Sequence, residues 1–209
     1  KDILSKALEA VQNAIRLDPN YAMAYRSKAE IEYYTGNFDQ MLKDGEKALE
    51  LAPNDVQIIG GIAYITGLSG WGCHSSEELK KKYNIDEKAC YRLKRGHELG
   101  VLGATLDKGN SVAGNNFGQV AYYQDSRNWE KALEVMEDMP VPFLWWWHHY
   151  MGTSNHFLGN KDKAQNHFNK IAEILGDNTL EKMKKGMIIW HEMTVYEEMM
   201  PVYLEYGLK

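Results

Sequence analysis

The side chains able to do acid–base, nucleophilic or metal chemistry in this chain are seven histidines and two cysteines. His148, His149 and His156 fall in one run, WWWHHYMGTSNH. On a helix His149 and His156 share a face but lie roughly 10 Å apart along the axis, at about 1.5 Å per residue. One metal ion, with bonds of about 2 Å, cannot span that gap. The i, i+4 histidine pair of a helical zinc site is absent, and nothing in the sequence places His167 or His191 beside the run. Cys73-His74 and Cys90 have no zinc-ligand spacing. Two cysteines cannot form a disulfide framework, so free thiols in a reducing, cytoplasmic compartment are expected rather than a bridge. The segment GVLGATLDKGNS reads as a Gly-rich connector without the spacing of a phosphate-binding loop. There is no Gly-x-Ser-x-Gly elbow and no constrained carboxylate dyad. The expectation is therefore no catalytic residue, no cofactor and no metal.

Trp145-Trp146-Trp147 is the sharpest remaining feature. Three successive residues on a helix point about 100° apart, so they cannot all enter one core. Burial takes two of them, and the third is a candidate binding anchor, since tryptophan is enriched at interaction hot spots.

The totals narrow the classes. With 44% hydrophobic and 25% charged residues, the 209-residue chain has the composition of a globular domain with a core. A net charge of −5 argues against nucleic acid as the main partner. No apolar run approaches the roughly 20 residues of a membrane-spanning helix.

The elements that must position these residues follow from periodicity. Leu4, Ala7, Leu8, Val11, Ala14 and Ile15 recur at helical spacing up to Pro19. Asp18-Pro19-Asn20 returns as Ala52-Pro53-Asn54, with a Gly36-Asn37-Phe38 turn between them. Asp18 is the expected N-cap of the intervening helix, with Pro19 in its first turn. A helix–turn–helix unit of this period resembles the tetratricopeptide repeat. The resemblance rests on Tyr25, Ala29, Gly36-Asn37-Phe38, Ala48 and Pro53. Lys28 and Glu32 depart from the family pattern, and Met41 with Gly45 exchanges large for small.

The resemblance implies an all-α, right-handed tetratricopeptide-type helix–turn–helix solenoid with a C-terminal helical cap. Its parts are a half repeat at 1–17, a repeat at 18–53 and a degenerate repeat at 54–100 carrying an insertion at 69–84. Repeats at 111–139 and 143–176 follow, then capping helices at 178–209. Three glycines in the helix after Pro53 (Gly60, Gly61, Gly67) suggest close approach of a neighbouring helix. Within the insertion, Ser75 or Ser76 can cap a short helical turn. Pro140 and Pro142 call for an extended link. Asn178 with Glu181, and Thr194 with Glu197, resemble helix starts. Because the chain opens with the second helix of a repeat, it is expected to be a piece of a longer protein.

A further resemblance is to the C-terminal repeat regions of bacterial regulators fused to adenylate cyclase or winged-helix domains. It rests on Trp129–Leu133, Pro142-Phe143, Gly159-Asn160 with Ala164, and Tyr206-Gly207-Leu208. By residue-wise transfer, the family's concave groove would be lined by Met23, Arg26, Ser27, Glu30, Tyr64, Trp146, His149, Tyr150, Thr153 and His156. The family's clamp for a C-terminal carboxylate is not reproduced. The expected function is a non-catalytic protein-interaction module, regulatory or scaffolding. It would bind a peptide, a protein segment or an upstream domain of its own chain, with no nucleic-acid or membrane partner. The alternative is a small-ligand sensor using the aromatic and histidine face at 145–156.

Overall fold

The computed structural model describes residues 2–109, 111–139, 141–186 and 190–209, with the side chains of Asp2 and 190–192 outside the description. Among the described residues all regular structure is helical. A lone helix α1 (Asp2–Leu17) is followed by the pair α2 (Ala22–Thr35) and α3 (Phe38–Leu51). The second pair is α4 (Val56–Ser69) with α6 (Ala89–Leu106), separated by the short α5 (Glu77–Lys82). Then come α7 (Ala113–Asp125) with α8 (Trp129–Glu137), α9 (Trp145–Phe157) with α10 (Lys161–Leu175), and finally α11 (Thr179–Gly186) and α12 (Trp190–Glu205). The two helices of each pair pack together, α2 meets α4 and α4 meets α7, and Gln124 joins α7 to α9, the stacking of an α-solenoid.

The first pair holds to the template. Gly36 closes α2 in the left-handed region (φ 78°), where a Cβ would be strained. The volume exchange is visible: Met41 is fully buried, and a Cβ on Gly45 would stand 3.2 Å from Ile62. Lys28 reaches the buried Asp44 carboxylate at 2.8 and 3.0 Å, an ion pair where the family places leucine. One expectation fails. Asp18 does not cap α2; its Oδ1 accepts from Asn20 N at 3.0 Å in a local turn, and the helix starts three residues later than Pro19 at Ala22.

The second unit departs further. Gly100 and Gly103 belong to the last turns of α6 rather than to a connector, and both press on Asn115 of α7. Gly96, Gly67 and Gly118 meet backbone to backbone where α6, α4 and α7 converge. Without side chains at these positions the three helices approach closely, which is why a helical segment can be so glycine-rich. Gly60 likewise faces α7, whereas Gly61 is covered by the Arg26 side chain.

The insertion is a folded piece. Ser76 caps α5 through Leu79 N. The buried Asp125 carboxylate accepts from Gly72 N at 2.7 Å and His74 N at 3.0 Å. The fully buried Arg92 gives Nε and one terminal nitrogen to Ser69 O and its other to Asp86. This fold-back brings the Cα atoms of Cys73 and Cys90 to 5.0 Å, and their sulfurs are bonded. The expectation of free thiols is thus overturned, and with it the argument that unpaired cysteines made for a reducing compartment. The 17-residue separation reveals nothing until α5 turns the chain back.

The C-terminal helices do more than cap the end. Tyr196, Met199, Val202, Tyr203 and Tyr206 of this region bury against Ala164, Phe168 and Ile171 of α10, closing the last pair. The same helix also runs back along the solenoid. Glu197 takes Lys82 at 2.7 Å and the Tyr83 hydroxyl, and Glu198 takes Arg127 at 2.8 Å. Thr194 lies inside α12, fully buried, so it starts no helix. Of the two link prolines, Pro142 precedes α9 and Pro140 lies outside the described residues.

Candidate functional site

The first helix of every pair contributes to one inner surface. On it, Tyr33, Tyr64, Leu68, Phe117, Trp146, His149 and Tyr150 line a cavity of about 190 Å³, which Trp71, Trp145, Gly186 and Val195 complete from the sides. The aromatic rings form a connected wall. Tyr64 stands edge-on to Phe117 at 5.5 Å, Phe117 to Trp146 at 4.6 Å, and Trp71 tilts against Tyr150 at 5.9 Å. The indole of Trp71 is fixed by donation to Ala121 O at 3.1 Å. Behind the wall, Gln124 Nε2 donates to Tyr150 O and to the Thr153 and Ser154 hydroxyls, each at 3.2 Å, locking α7 to α9.

His149 is the imidazole in this wall and is 2% exposed. Its Nδ1 meets the Tyr203 hydroxyl at 3.0 Å, while its Nε2 has no hydrogen-bond partner. Burial alone lowers the imidazole pKa to about 4, so the ring is neutral at pH 7. Tyr203 is fully buried and its pKa is pushed well up by the same desolvation, so its hydroxyl keeps its proton. Among the described residues the partner of that hydroxyl is His149 Nδ1, and with the phenol as donor the neutral ring carries its hydrogen on Nε2. That tautomer presents Nε2–H as an unmet donor in an apolar site, whereas the other leaves the phenol hydrogen unmet.

The expected groove residues divide. Tyr64, Trp146, His149 and Tyr150 line the cavity, and Arg26 and Glu30, paired at 3.5 Å, line an adjoining depression with Tyr64 and Phe117. Met23 and Ser27 are half-buried on α2, and Met23 packs on the core. Thr153 is fully buried beneath the wall, its hydroxyl returned to His149 O at 2.8 Å. His156 faces the turn after α12 instead, through the Tyr206 hydroxyl at 3.1 Å. Of the tryptophan run, Trp147 alone is buried, its N–H on Met136 O, and both Trp145 and Trp146 reach the cavity. The histidines do not gather: His148 pairs with His167 at 2.9 Å, away from His149. His191 lies outside the described side chains.

Phe117, Tyr33, Trp71 and Val195 were not anticipated. The register of α7 against α4 would have pointed to Phe117, because it follows Tyr64 on the next first helix. No pattern in the sequence signals the return of α12 that supplies Val195.

No known family and no curated protein matches the chain. Its architecture defines a class, the all-α helix–turn–helix solenoids of tetratricopeptide type. A solved structure described as MamA RS-1 ArsTM double mutant, a tetratricopeptide-like protein, is similar in fold at a TM-score of 0.56 and 17% identity. The match covers 82% of this chain and 84% of that one, and at this identity it speaks to fold alone.

Proposed function

We propose that the chain is a non-catalytic protein-interaction module, scaffolding or regulatory, which holds a peptide or protein segment along its inner surface. The observation that carries this reading is the aromatic cavity built from the first helices of all four pairs, with His149 Nε2 unpartnered. A cavity of about 190 Å³ suits one large apolar side chain, and His149 Nε2–H suits the carbonyl beside it. Arg26 and Glu30 in the adjoining depression would meet polar residues of the same segment.

The test is selection of binders from a displayed random-peptide library, followed by titration of the winners on tryptophan fluorescence. Selected peptides should share one bulky apolar position, and Trp146→Ala should weaken them by at least about tenfold, the effect of removing a hot-spot tryptophan. Peptides that bind wild type and variant equally would refute this reading. A second reading, a sensor of a small single-ring ligand, is favoured by the same volume, since an apolar cavity of about 150 Å³ can take benzene. Tight binding of such a ligand without any peptide selected would favour it.

A further inference from the structure

A second imidazole, remote from the cavity, is arranged for different chemistry. His74 Nδ1 lies 2.6 Å from Asp125 Oδ2, and a carboxylate only accepts, so the ring hydrogen sits on Nδ1. In the neutral ring that leaves the Nε2 lone pair open, 3.8 Å from Cys73 Sγ. Asp125 is itself fixed by the N–H groups of Gly72 and His74. Cys90, bonded to Cys73, stands in the first turn of α6, where a helix N-terminus favours a thiolate. Both cysteines line an open cleft of about 600 Å³, and the His74 side chain is half exposed, so solvent, reductant and ions have access.

We propose that the reduced Cys73–Cys90 pair and His74 Nε2 form a Zn²⁺ site, with Asp125 as the carboxylate that positions the histidine. The bond spacing agrees. Zinc–sulfur and zinc–nitrogen bonds of about 2.3 and 2.0 Å at a tetrahedral angle place sulfur and nitrogen about 3.5 Å apart. The structure has them at 3.8 Å. A carboxylate on the distal nitrogen of a ligating histidine is the usual outer partner of such a metal. Water takes the fourth position, on the open side of the cleft.

The site is linked to redox state. A dithiol reductant attacks the exposed Cys90 sulfur; the S–S bond breaks and Cys73 leaves as a thiolate next to His74. The reductant closes to its own cyclic disulfide, and two electrons and two protons have passed to the cysteines. Zinc then displaces both thiol protons to water. A disulfide oxidant reverses the exchange: it takes two electrons from the thiolates, is itself reduced to two thiols, and the reformed Cys73–Cys90 bond releases the ion.

The test uses the full chain, reduced with a phosphine and stripped by a chelator, then titrated with Zn²⁺ against a chromogenic competitor. One equivalent should bind to the reduced protein and none to the oxidised. Co²⁺ in place of zinc should give sulfur-to-cobalt charge-transfer absorption that Cys90→Ser weakens and the double change Cys73→Ser with Cys90→Ser removes. His74→Ala should lower zinc affinity by at least tenfold, and Asp125→Asn by about 10- to 100-fold, the range for such outer partners. Circular dichroism of each species reports folding. No zinc on folded reduced protein, equal binding by His74→Ala, or a reduced chain still unfolded with zinc present would each overturn the assignment.

Discussion

Two histidines in this molecule are held the same way and prepared for opposite guests. His149 and His74 each have Nδ1 fixed by one neighbour, leaving Nε2 open. At His149 the neighbour is a phenol, and when it donates its proton Nε2 becomes a donor inside an aromatic wall. At His74 the neighbour is a carboxylate that can only accept, so Nε2 becomes a lone pair beside sulfur. Imidazole chemistry is thus decided by the residue behind it, at 3.0 Å in one case and 2.6 Å in the other.

The largest expected effect is on the polar side. Asp125→Ala removes the acceptor of two backbone N–H groups and one imidazole, all from the inserted loop. Urea denaturation at pH 7 should show a loss of about 3–5 kcal/mol, the range for breaking a buried charge-assisted network. A loss below about 1 kcal/mol would mean that water replaces the carboxylate and that the loop is held elsewhere.

Acid acts on the apolar side. His149 titrates near 4 in the folded protein and at the ordinary value of 6.5 when unfolded. Between those values the unfolded chain binds the additional proton, so stability is full above pH 6.5 and falls as pH drops toward 4. For a fully buried ring the loss is on the order of 3 kcal/mol. His167, lowered to about 4 by burial and by His148 and Lys163, acts in the same window, so His149→Gln should flatten the slope only in part. Thermal melts from pH 7.5 to 4.5 on both proteins measure it. Identical slopes would show that His149 is hydrated.

This comparison also marks what the sequence discloses. The α2–α3 pair was legible because Gly36, the buried Ala29 and Ala48, and Pro53 report purely local geometry. Tyr64, Trp146, His149 and Tyr150 were legible as inner-face residues because helical register fixes direction. The roles of His149 and His74 were not, since each depends on a partner more than 50 residues away, 54 for Tyr203 and 51 for Asp125. The disulfide escaped for the same reason, as the folded insertion brings its ends together. The run from Gly100 to Leu106 misled because glycine reads as loop until Asn115 is seen packed on it.

The smallest effect makes the finest distinction. Tyr203→Phe deletes one hydroxyl and should cost about 1–2 kcal/mol, the price of leaving a buried imidazole nitrogen without its partner. Its value lies in what happens to the cavity. Without a donor behind it, His149 is free to carry its hydrogen on Nδ1, and Nε2 can then accept. Acetophenone, which offers only an acceptor, should bind the wild type better than pyrrole, which offers only a donor. The variant should lose on the order of tenfold for acetophenone, about one hydrogen bond, and gain for pyrrole. Calorimetric titration of the two probes against both proteins decides it. If both weaken together, the hydroxyl serves packing and the His149 tautomer is not set by Tyr203. If the preference reverses, the phenol behind the ring determines what the cavity takes, as the carboxylate does at His74.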